Sequence, residues 1–384
     1  MSARPLIAMR ATPLLFPNAG VAHYIRSLAF ELKAAGENLE LFTPFKWDLD
    51  VGRETTQSST AVSVRKTMFR ALPRPRQAAR MMETALLAIN ARVRGVALYH
   101  EPATFPLPFH GPMVLTVHDL SWVRFPETHP ADRRRTMDRS FPGLLARARH
   151  VLTDSDFVKQ ELVSSFGLDP SNITTAHLAA RACFQPRGSD ECALVLQRFG
   201  LRHRSFFLSV GTLEPRKNLV RTIRAFADLP PSVRSACPLV LVGATGWNSS
   251  DLEREISGMA AKGEVIPLGF TPEEDLARLY SSAKALLYVS LYEGFGLPPL
   301  EAMASGTPVI VSDSSSIPEV VGDAGLQVDP FDQVAIRNAM LRLIDDQDLY
   351  AALAARGVDR SRSFSWTRCA STTREVYGRV LSQR

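Results

Sequence analysis

Short apolar runs alternate along this chain with longer stretches whose apolar positions recur every three or four residues. In the first half the runs are PLIAM (5–9), LELFTP (39–44), MVLTVHDL (113–120), HVLTDSD (150–156) and NITTAHLA (172–179). Between the first two, Ile25, Leu28, Ala29 and Leu32 keep helical spacing up to Gly36, which predicts a helix over 21–36. The second half repeats the alternation with SFFLSVG (205–211), CPLVLVGA (237–244), EVIPLGF (264–270), KALLYVS (284–290) and PVIVSD (308–313). Helices are predicted between these runs, from Asn218 to Asp228, near 250–261, within 272–283 and over 298–305. Beyond Asp329 the pattern stays helical, and the last segment keeps Trp366, Cys369, Val376, Tyr377 and Val380 apolar, as a terminal helix docked on a neighbour would. Near-continuous apolar strands separated by helices imply parallel sheets covered on both faces. Two such series predict an α/β chain of two doubly wound, Rossmann-like domains, 1–186 and 187–366, joined within 183–197 where Pro, Gly and Ser interrupt the periodicity. In open sheets of this kind ligands sit beyond the carboxyl ends of the strands, so the two domains should face each other across a site in their cleft.

Length and composition agree with this picture. A chain of 384 residues exceeds one core at about 150 residues per domain. Its 45% hydrophobic and 22% charged content is that of a globular protein rather than a disordered or fibrous one. No apolar run reaches the ~18 residues of a membrane span, and the opening MSARPLIAMRATPLLFP is broken by Arg and Pro, so a cytoplasmic location is expected. Cys183, Cys192, Cys237 and Cys369 lack ligand spacing and read as reduced structural thiols.

Charge adds one local feature. The net charge of +6, from 45 basic and 39 acidic residues, is only a mild attraction to anions. Between Glu54 and Glu83, however, there is no acid, while Arg65, Lys66, Arg70, Arg74, Arg76 and Arg80 interleave with Met68, Phe69 and Leu72. This 65–80 segment suits either an anionic membrane surface or a solvated helix face. No aromatic stacking motif accompanies it, which argues against nucleic acid.

Two motifs carry candidate chemistry. In YEGFGLPPLEAMASG (292–306) the prolines stand where the first turn of a helix favours them, so 294–297 should be a loop feeding a helix amino end after the strand ALLYVS. Such an end offers free N–H groups and a positive dipole, both suited to phosphate, and the glycines allow close approach of backbone. Glu301, expected in the first turn, could take both hydroxyls of a vicinal diol, and Glu293 could do the same for a sugar. The plainer alternatives are a dipole-complementing acid and a loop charge. In SVGTLEPRKNLVRTIRAF (209–226) a strand ends at Gly211, and Arg216 and Lys217 follow in a loop before a helix near Asn218. A guanidinium fork beside an ammonium point charge suits a diphosphate, although a solvated surface pair would read the same. Their occurrence at two strand ends of one sheet favours a shared site.

With GTLEPRKNL followed by EGFGLPPLE, the chain resembles the retaining glycosyltransferases of family 4, with the two-domain GT-B fold. The likeness is specific across the second half and looser across the first. It implies a nucleotide-sugar donor held mainly by the second domain and a saccharide or polyprenyl-linked acceptor held mainly by the first. It further implies retention of anomeric configuration, no obligatory metal or other cofactor, and a last helix, 367–384, packed back on the first domain.

Carried onto matching positions, the resemblance puts Arg216 and Lys217 on the diphosphate, Glu301 on the ribose and Glu293 on hydroxyls of the transferred sugar. The loop Gly294, Phe295, Gly296 and Leu297 would offer backbone amides to sugar and phosphates, and Phe270 would lie beside the base. His118 in TVHDLSW would point at the donor sugar, with Asp119 orienting the loop, and Gly20 in PNAGVAHYIRSL would face the diphosphate and the acceptor. Two positions depart from the family pattern. Thr212 stands where many relatives carry a basic residue, and Ala19 and Ala22 stand where relatives often have a second glycine.

The resemblance favours GDP-mannose over UDP-linked sugars, and cell-surface polysaccharide assembly as the setting, while the basic 65–80 segment would allow peripheral contact at the inner face of the membrane. No motif identifies a carboxylate nucleophile, so same-face attack is expected, the leaving phosphate taking the acceptor's proton. Competing readings are a sugar-nucleotide epimerase, a phosphorylase of the same architecture, or a non-enzymatic anion-binding module. The triplets Asp48/Asp50, Asp154/Asp156 and Asp346/Asp348 read as chance DxD matches, not a metal site.

Overall fold

The computed structural model describes residues 4–15, 20–44, 46–50, 75–103, 107–244, 246 and 250–383. In the first half the strands are β1 (Leu6–Arg10), β2 (Leu39–Thr43), β3 (Lys46–Trp47), β4 (Val96–Glu101), β5 (Met113–Val117), β6 (His150–Thr153) and β7 (Ile173–Thr175). The helices between them are α1 (Gly20–Ala34), α2 (Pro75–Val93), α3 (Ser121–Arg124), α4 (Ala131–Leu145) and α5 (Asp156–Phe166). The strands form one sheet in the order β3-β2-β1-β4-β5-β6-β7, parallel except for the short β3.

The second half opens with α6 (Ser189–Arg198) and β8 (Phe207–Val210), then α7 (Leu219–Ala227), α8 (Pro231–Ala236), β9 (Leu239–Val242), α9 (Ser250–Ala260), β10 (Val265–Gly269), α10 (Glu273–Ser282) and β11 (Ala285–Tyr288). It continues through α11 (Leu297–Ala304), β12 (Val309–Ser312), α12 (Ile317–Val321), β13 (Leu326–Val328), α13 (Gln333–Asp345) and α14 (Gln347–Ser361), and the chain ends in α15 (Trp366–Ser382). Its sheet is wholly parallel, in the order β10-β9-β8-β11-β12-β13.

Both orders reverse direction once, at β1/β4 and at β8/β11. Crevices for ligands open at such switch points, outside the carboxyl ends of the strands. The Gly211–Lys217 motif follows β8 and the Glu293–Glu301 motif follows β11, so the two flank one crevice.

Local chemistry fixes the surrounding helices. Ser155 caps α5 by accepting from the Val158 amide at 3.2 Å, and Gly167 ends it in the left-handed region at φ +64. Ser365 caps α15 through the Arg368 amide at 3.1 Å. That last helix packs along α1 and reaches β4 and β6 of the first sheet, burying Cys369, Val376, Tyr377 and Val380. Arg374 is paired there with Glu37 at 2.8 Å, and Tyr377 shares a 2.6 Å hydrogen bond with the buried His100.

Candidate active site

Beyond β8, Gly211 adopts φ +145 and the backbone turns through a 3-10 helix at Pro215–Lys217. Asn218 follows in the left-handed region at φ +57, and its side-chain amide donates to the carbonyls of Val289 at 3.0 Å and Pro330 at 2.7 Å. The predicted loop is thus a tight turn braced against the end of β11, and this aims both cations at the neighbouring motif. Arg216 donates to the Tyr292 carbonyl at 2.7 Å, to Glu293 Oε2 at 3.0 Å and to Glu214 Oε1 at 2.7 Å. Lys217 Nζ donates to Glu293 Oε1 and to the Tyr288 hydroxyl, each at 2.7 Å. Thr212 and Lys217 line a common small pocket with Gly211 and Tyr288.

Glu293 is therefore clamped between the two cations. Burial pushes its carboxyl up, but Arg216 and Lys217 outweigh burial and hold it at about 2. Burial also pushes the Lys217 ammonium down, against the pull of Glu293. The loop beyond is pinned from below by the Ser316 hydroxyl, which donates to the carbonyls of Glu293 at 2.9 Å and Phe295 at 2.8 Å. Phe295 turns its ring inward against His177 and Phe364. Gly296 takes φ +118, where a Cβ would meet the Ile317 side chain at 2.8 Å. Among the described residues nothing accepts from the amides of Phe295, Gly296 and Leu297, so the amino end of α11 keeps unpartnered donors.

Glu301 differs from expectation. It is the fifth residue of α11 rather than part of its first turn, because the helix already begins at Leu297. Its carboxylate accepts from Arg181 at 3.0 Å and from the Tyr280 hydroxyl at 3.3 Å. Burial raises its pKa, opposed by Arg181. The structure thus joins Thr212, Arg216, Lys217 and Glu293 in one cluster and sets Glu301 in a second, one helical turn along α11.

The first sheet presents its strand ends to this loop. His118 follows β5, its Nδ1 bonded to Asp154 Oδ2 at 2.7 Å and its Nε2 to the Pro102 carbonyl at 2.9 Å. Acceptors thus face both ring nitrogens; burial would lower the pKa of His118, but Asp154 more than compensates and the net shift is upward. The imidazole is thus engaged within the first half, and what meets the second half is its backbone. A Cβ at Gly294 would lie 1.8 Å from the His118 carbonyl oxygen. Around this contact, Ser155 Oγ donates to the Gly294 carbonyl at 2.7 Å and the Leu120 amide donates to the Tyr292 hydroxyl at 3.0 Å. Asp119 accepts from the Ser121 amide at 3.0 Å and its hydroxyl at 2.7 Å, which orients its own loop.

Two candidates sit at the rim. Gly20 is the first residue of α1, with nothing among the described residues within 4 Å of where a Cβ would stand, and the loop at 16–19 lies outside the described residues. Phe270, past β10, is 63% exposed.

Several members escaped the sequence reading. Asp154, dismissed as half of a chance triplet, is the partner of His118; its position at the end of the run HVLTDSD was the available signal. Glu214, Tyr280 and Tyr288 gave none beyond proximity to the motifs, and Arg181 gave none at all. Asp156, His177 and Glu319 bring potential ligand atoms within 4.8 Å of one another. Glu319, however, already accepts from the amides of Asp156 at 2.8 Å and Phe157 at 3.0 Å and from His177 at 2.6 Å, so it closes the amino end of α5 and its oxygens are satisfied without an ion.

Comparison with known proteins agrees with this geometry. The family Glycosyltransferase Family 4 matches residues 18–179 and the family Glycosyl transferases group 1 matches residues 198–360. The sucrose-phosphate synthase of Thermosynechococcus elongatus superposes with a TM-score of 0.74 at 22% identity, covering 99% of this chain and 100% of that one. HepE of Anabaena in complex with UDP and glucose gives 0.72 at 17% identity, covering 98% and 100%. O-antigen chain mannosyltransferase B of Escherichia coli is 35% identical over 97% of this chain and 99% of its own. Two parallel sheets meeting at their strand ends in this way are the GT-B glycosyltransferase fold. The chain belongs to the family-4 glycosyltransferases and is a glycosyltransferase.

Proposed function

We propose that this enzyme moves mannose from GDP-mannose to a saccharide or lipid-linked acceptor during cell-surface polysaccharide assembly, with retention of anomeric configuration. The observation that carries the reading is the Arg216–Glu293–Lys217 cluster set against the free amides at the start of α11. The donor's pyrophosphate replaces Glu293 as the anion facing both cations, and the carboxylate is released to hydroxyls of the sugar. Glu301, ~6 Å along the helix axis from Leu297 at 1.5 Å per residue, is within reach of the ribose of the same nucleotide. Thr212 borders the phosphates, Phe270 the base and Gly20 the acceptor side. Cleavage of the sugar C1–O bond builds negative charge on the diphosphate, which Arg216, Lys217 and the α11 amides stabilise in place. The acceptor hydroxyl attacks C1 on the face the phosphate leaves, and its proton passes to the departing phosphate oxygen. No metal ion is required by this scheme, because the counter-charge comes from side chains and backbone. The mannosyl donor is supported by the Escherichia coli relative's name.

The test is transfer from GDP-mannose, UDP-glucose and UDP-galactose to saccharide acceptors, with the anomeric coupling of the product read by NMR. GDP at 100 times its dissociation constant should stabilise the folded protein by about 2.7 kcal/mol, and UDP at the same concentration by less. A product of inverted configuration removes the same-face mechanism, and transfer from a UDP sugar alone removes the GDP-mannose assignment.

Peripheral membrane contact belongs to the same proposal. On α2, Met81, Met82, Ile89 and Val93 are 74%, 45%, 61% and 79% exposed, with the exposed Arg80 and Arg92 beside them. An apolar row flanked by arginines suits the headgroup region of an anionic bilayer. The basic stretch 65–74 that precedes it lies outside the described residues, and no helix among the described residues is long and apolar enough to cross a membrane. Cosedimentation with phosphatidylglycerol vesicles should exceed that with phosphatidylcholine and fall when Met82 and Ile89 are both changed to Glu. Equal pelleting with either lipid counts against the contact.

A further inference from the structure

Arg181 lies in the connection between the two sheets, after β7 and before α6, where no motif announced it. Its side chain is 16% exposed and is surrounded by partners from elements distant in sequence. Nη2 donates to Glu301 Oε1 at 3.0 Å, and Nη1 is paired with Glu273, the first residue of α10. Nη1 also lies 3.2 Å from Nδ1 of His23 on α1, and the guanidinium carbon stands 4.7 Å from the centre of the Phe184 ring. Burial, then the charge of Arg181, lower the pKa of His23 to about 4, so its neutral ring offers Nδ1 as an acceptor. The linker is held in this place by further bonds, from Cys183 Sγ to Glu273 at 3.1 Å and from the Ser281 hydroxyl to the Gln185 carbonyl at 2.9 Å.

We propose that Arg181 is a positioning residue for the donor: it fixes the Glu301 carboxylate, ionised and in one orientation, for the nucleotide's ribose, and ties it to α1 on the acceptor side. This rests on the assignment of Glu301 to the ribose. A carboxylate that accepts from two vicinal hydroxyls has to be charged and rotationally fixed. Burial at Glu301 works against the charge, and Arg181 is the cation that opposes it. A planar fork anchored by Glu273 and His23 also holds the carboxylate's direction, which an ammonium would not. His23 stands three residues past Gly20, so the same guanidinium connects the ribose carboxylate with the helix that starts at the glycine loop.

The experiment measures calorimetric binding of GDP and UDP, and of their 2′,3′-dideoxy counterparts, to the full chain carrying Arg181→Ala, Arg181→Lys, Glu301→Gln or Arg181→Ala with Glu301→Gln, each checked for a native melting transition. Arg181→Ala should weaken the ribonucleotide about tenfold or more and leave the dideoxy form within about twofold, as expected for loss of a charge-assisted contact acting only through the ribose. Arg181→Lys should fall between, and the double variant should bind no worse than Glu301→Gln alone, because the two residues act as one unit. Equal weakening of both nucleotide forms by Arg181→Ala, or no weakening, overturns the proposal while Glu301→Gln still discriminates between them. If Glu301→Gln itself fails to discriminate, the ribose assignment falls and this inference falls with it. Arg181→Lys keeps the test decisive should the alanine variant not fold.

Discussion

Lys217→Ala is expected to lower glycosyl transfer by on the order of a hundred- to a thousandfold while the chain remains folded, the range seen when one preorganised donor to a developing anion is removed. The ammonium faces Glu293 and Tyr288 at 2.7 Å in a buried cluster, so it costs little reorganisation to meet the charge that forms on the leaving diphosphate. Folding survives because Arg216 still reaches Glu293 Oε2 at 3.0 Å and the carboxylate is not orphaned. The stability loss should stay near the ~1–3 kcal/mol of one buried polar partner. Single-turnover transfer and thermal melting on the same preparation separate the two effects. Glu301→Ala should likewise abolish turnover in a folded protein. Near-wild-type rates in both variants would remove the donor site as assigned.

Gly294→Ala should be nearly as damaging for a different reason. Its φ is not in the left-handed region, so alanine is locally permitted there. The added methyl would nonetheless stand 1.8 Å from the His118 carbonyl oxygen and 2.9 Å from Asp119 Cβ, and neither is the yielding end of a flexible side chain. The two halves must separate to accept it, and a displacement of about 1 Å at a reacting centre can cost on the order of a hundredfold. Nucleoside diphosphate binding should change little, since the cations and α11 amides belong to the second half alone. Turnover falling together with unchanged affinity for GDP is the expected pattern, accompanied by a larger radius of gyration in solution scattering. Wild-type turnover would show that the contact is not needed for the reaction.

Legibility from sequence followed local chemistry. Five strands of the second sheet, β8 to β12, were readable because their runs are continuous and apolar and their turns carry Gly and Pro, whereas β13 is three residues long and only half-buried and shows no such run. In the first half β4 was passed over, since VALYHE places His100 and Glu101 at buried positions that pattern alone assigns to the surface. Burial raises Glu101 to about 7, and Arg10 and the Tyr99 hydroxyl accompany it, a set of contacts no spacing rule contains. The helix α4 was missed because ADRRRTMDRSFPGLL is strongly charged and carries Pro142 inside. At the site, the meeting of Arg216, Lys217 and Glu293 was legible because cations and acids follow two strand ends of one sheet. The engagement of both His118 nitrogens was not, because Asp154 and Pro102 reach it from other strand ends. The prolines predict a helix start at Pro298, and because the helix begins at Leu297 instead, Glu301 stands one residue deeper in it than expected.

The return of α15 to α1 has a consequence for biosynthesis. Tyr24, Ile25 and Leu28 are covered by the helix Trp366–Ser382, which follows both sheets along the chain, so the lobe of the first sheet is completed only after that of the second has been made. The nascent polypeptide carries an open apolar seam along α1 until residues 366–382 have been translated and have cleared the ribosome. The lobe of the second sheet closes before that of the first, the reverse of the usual vectorial order.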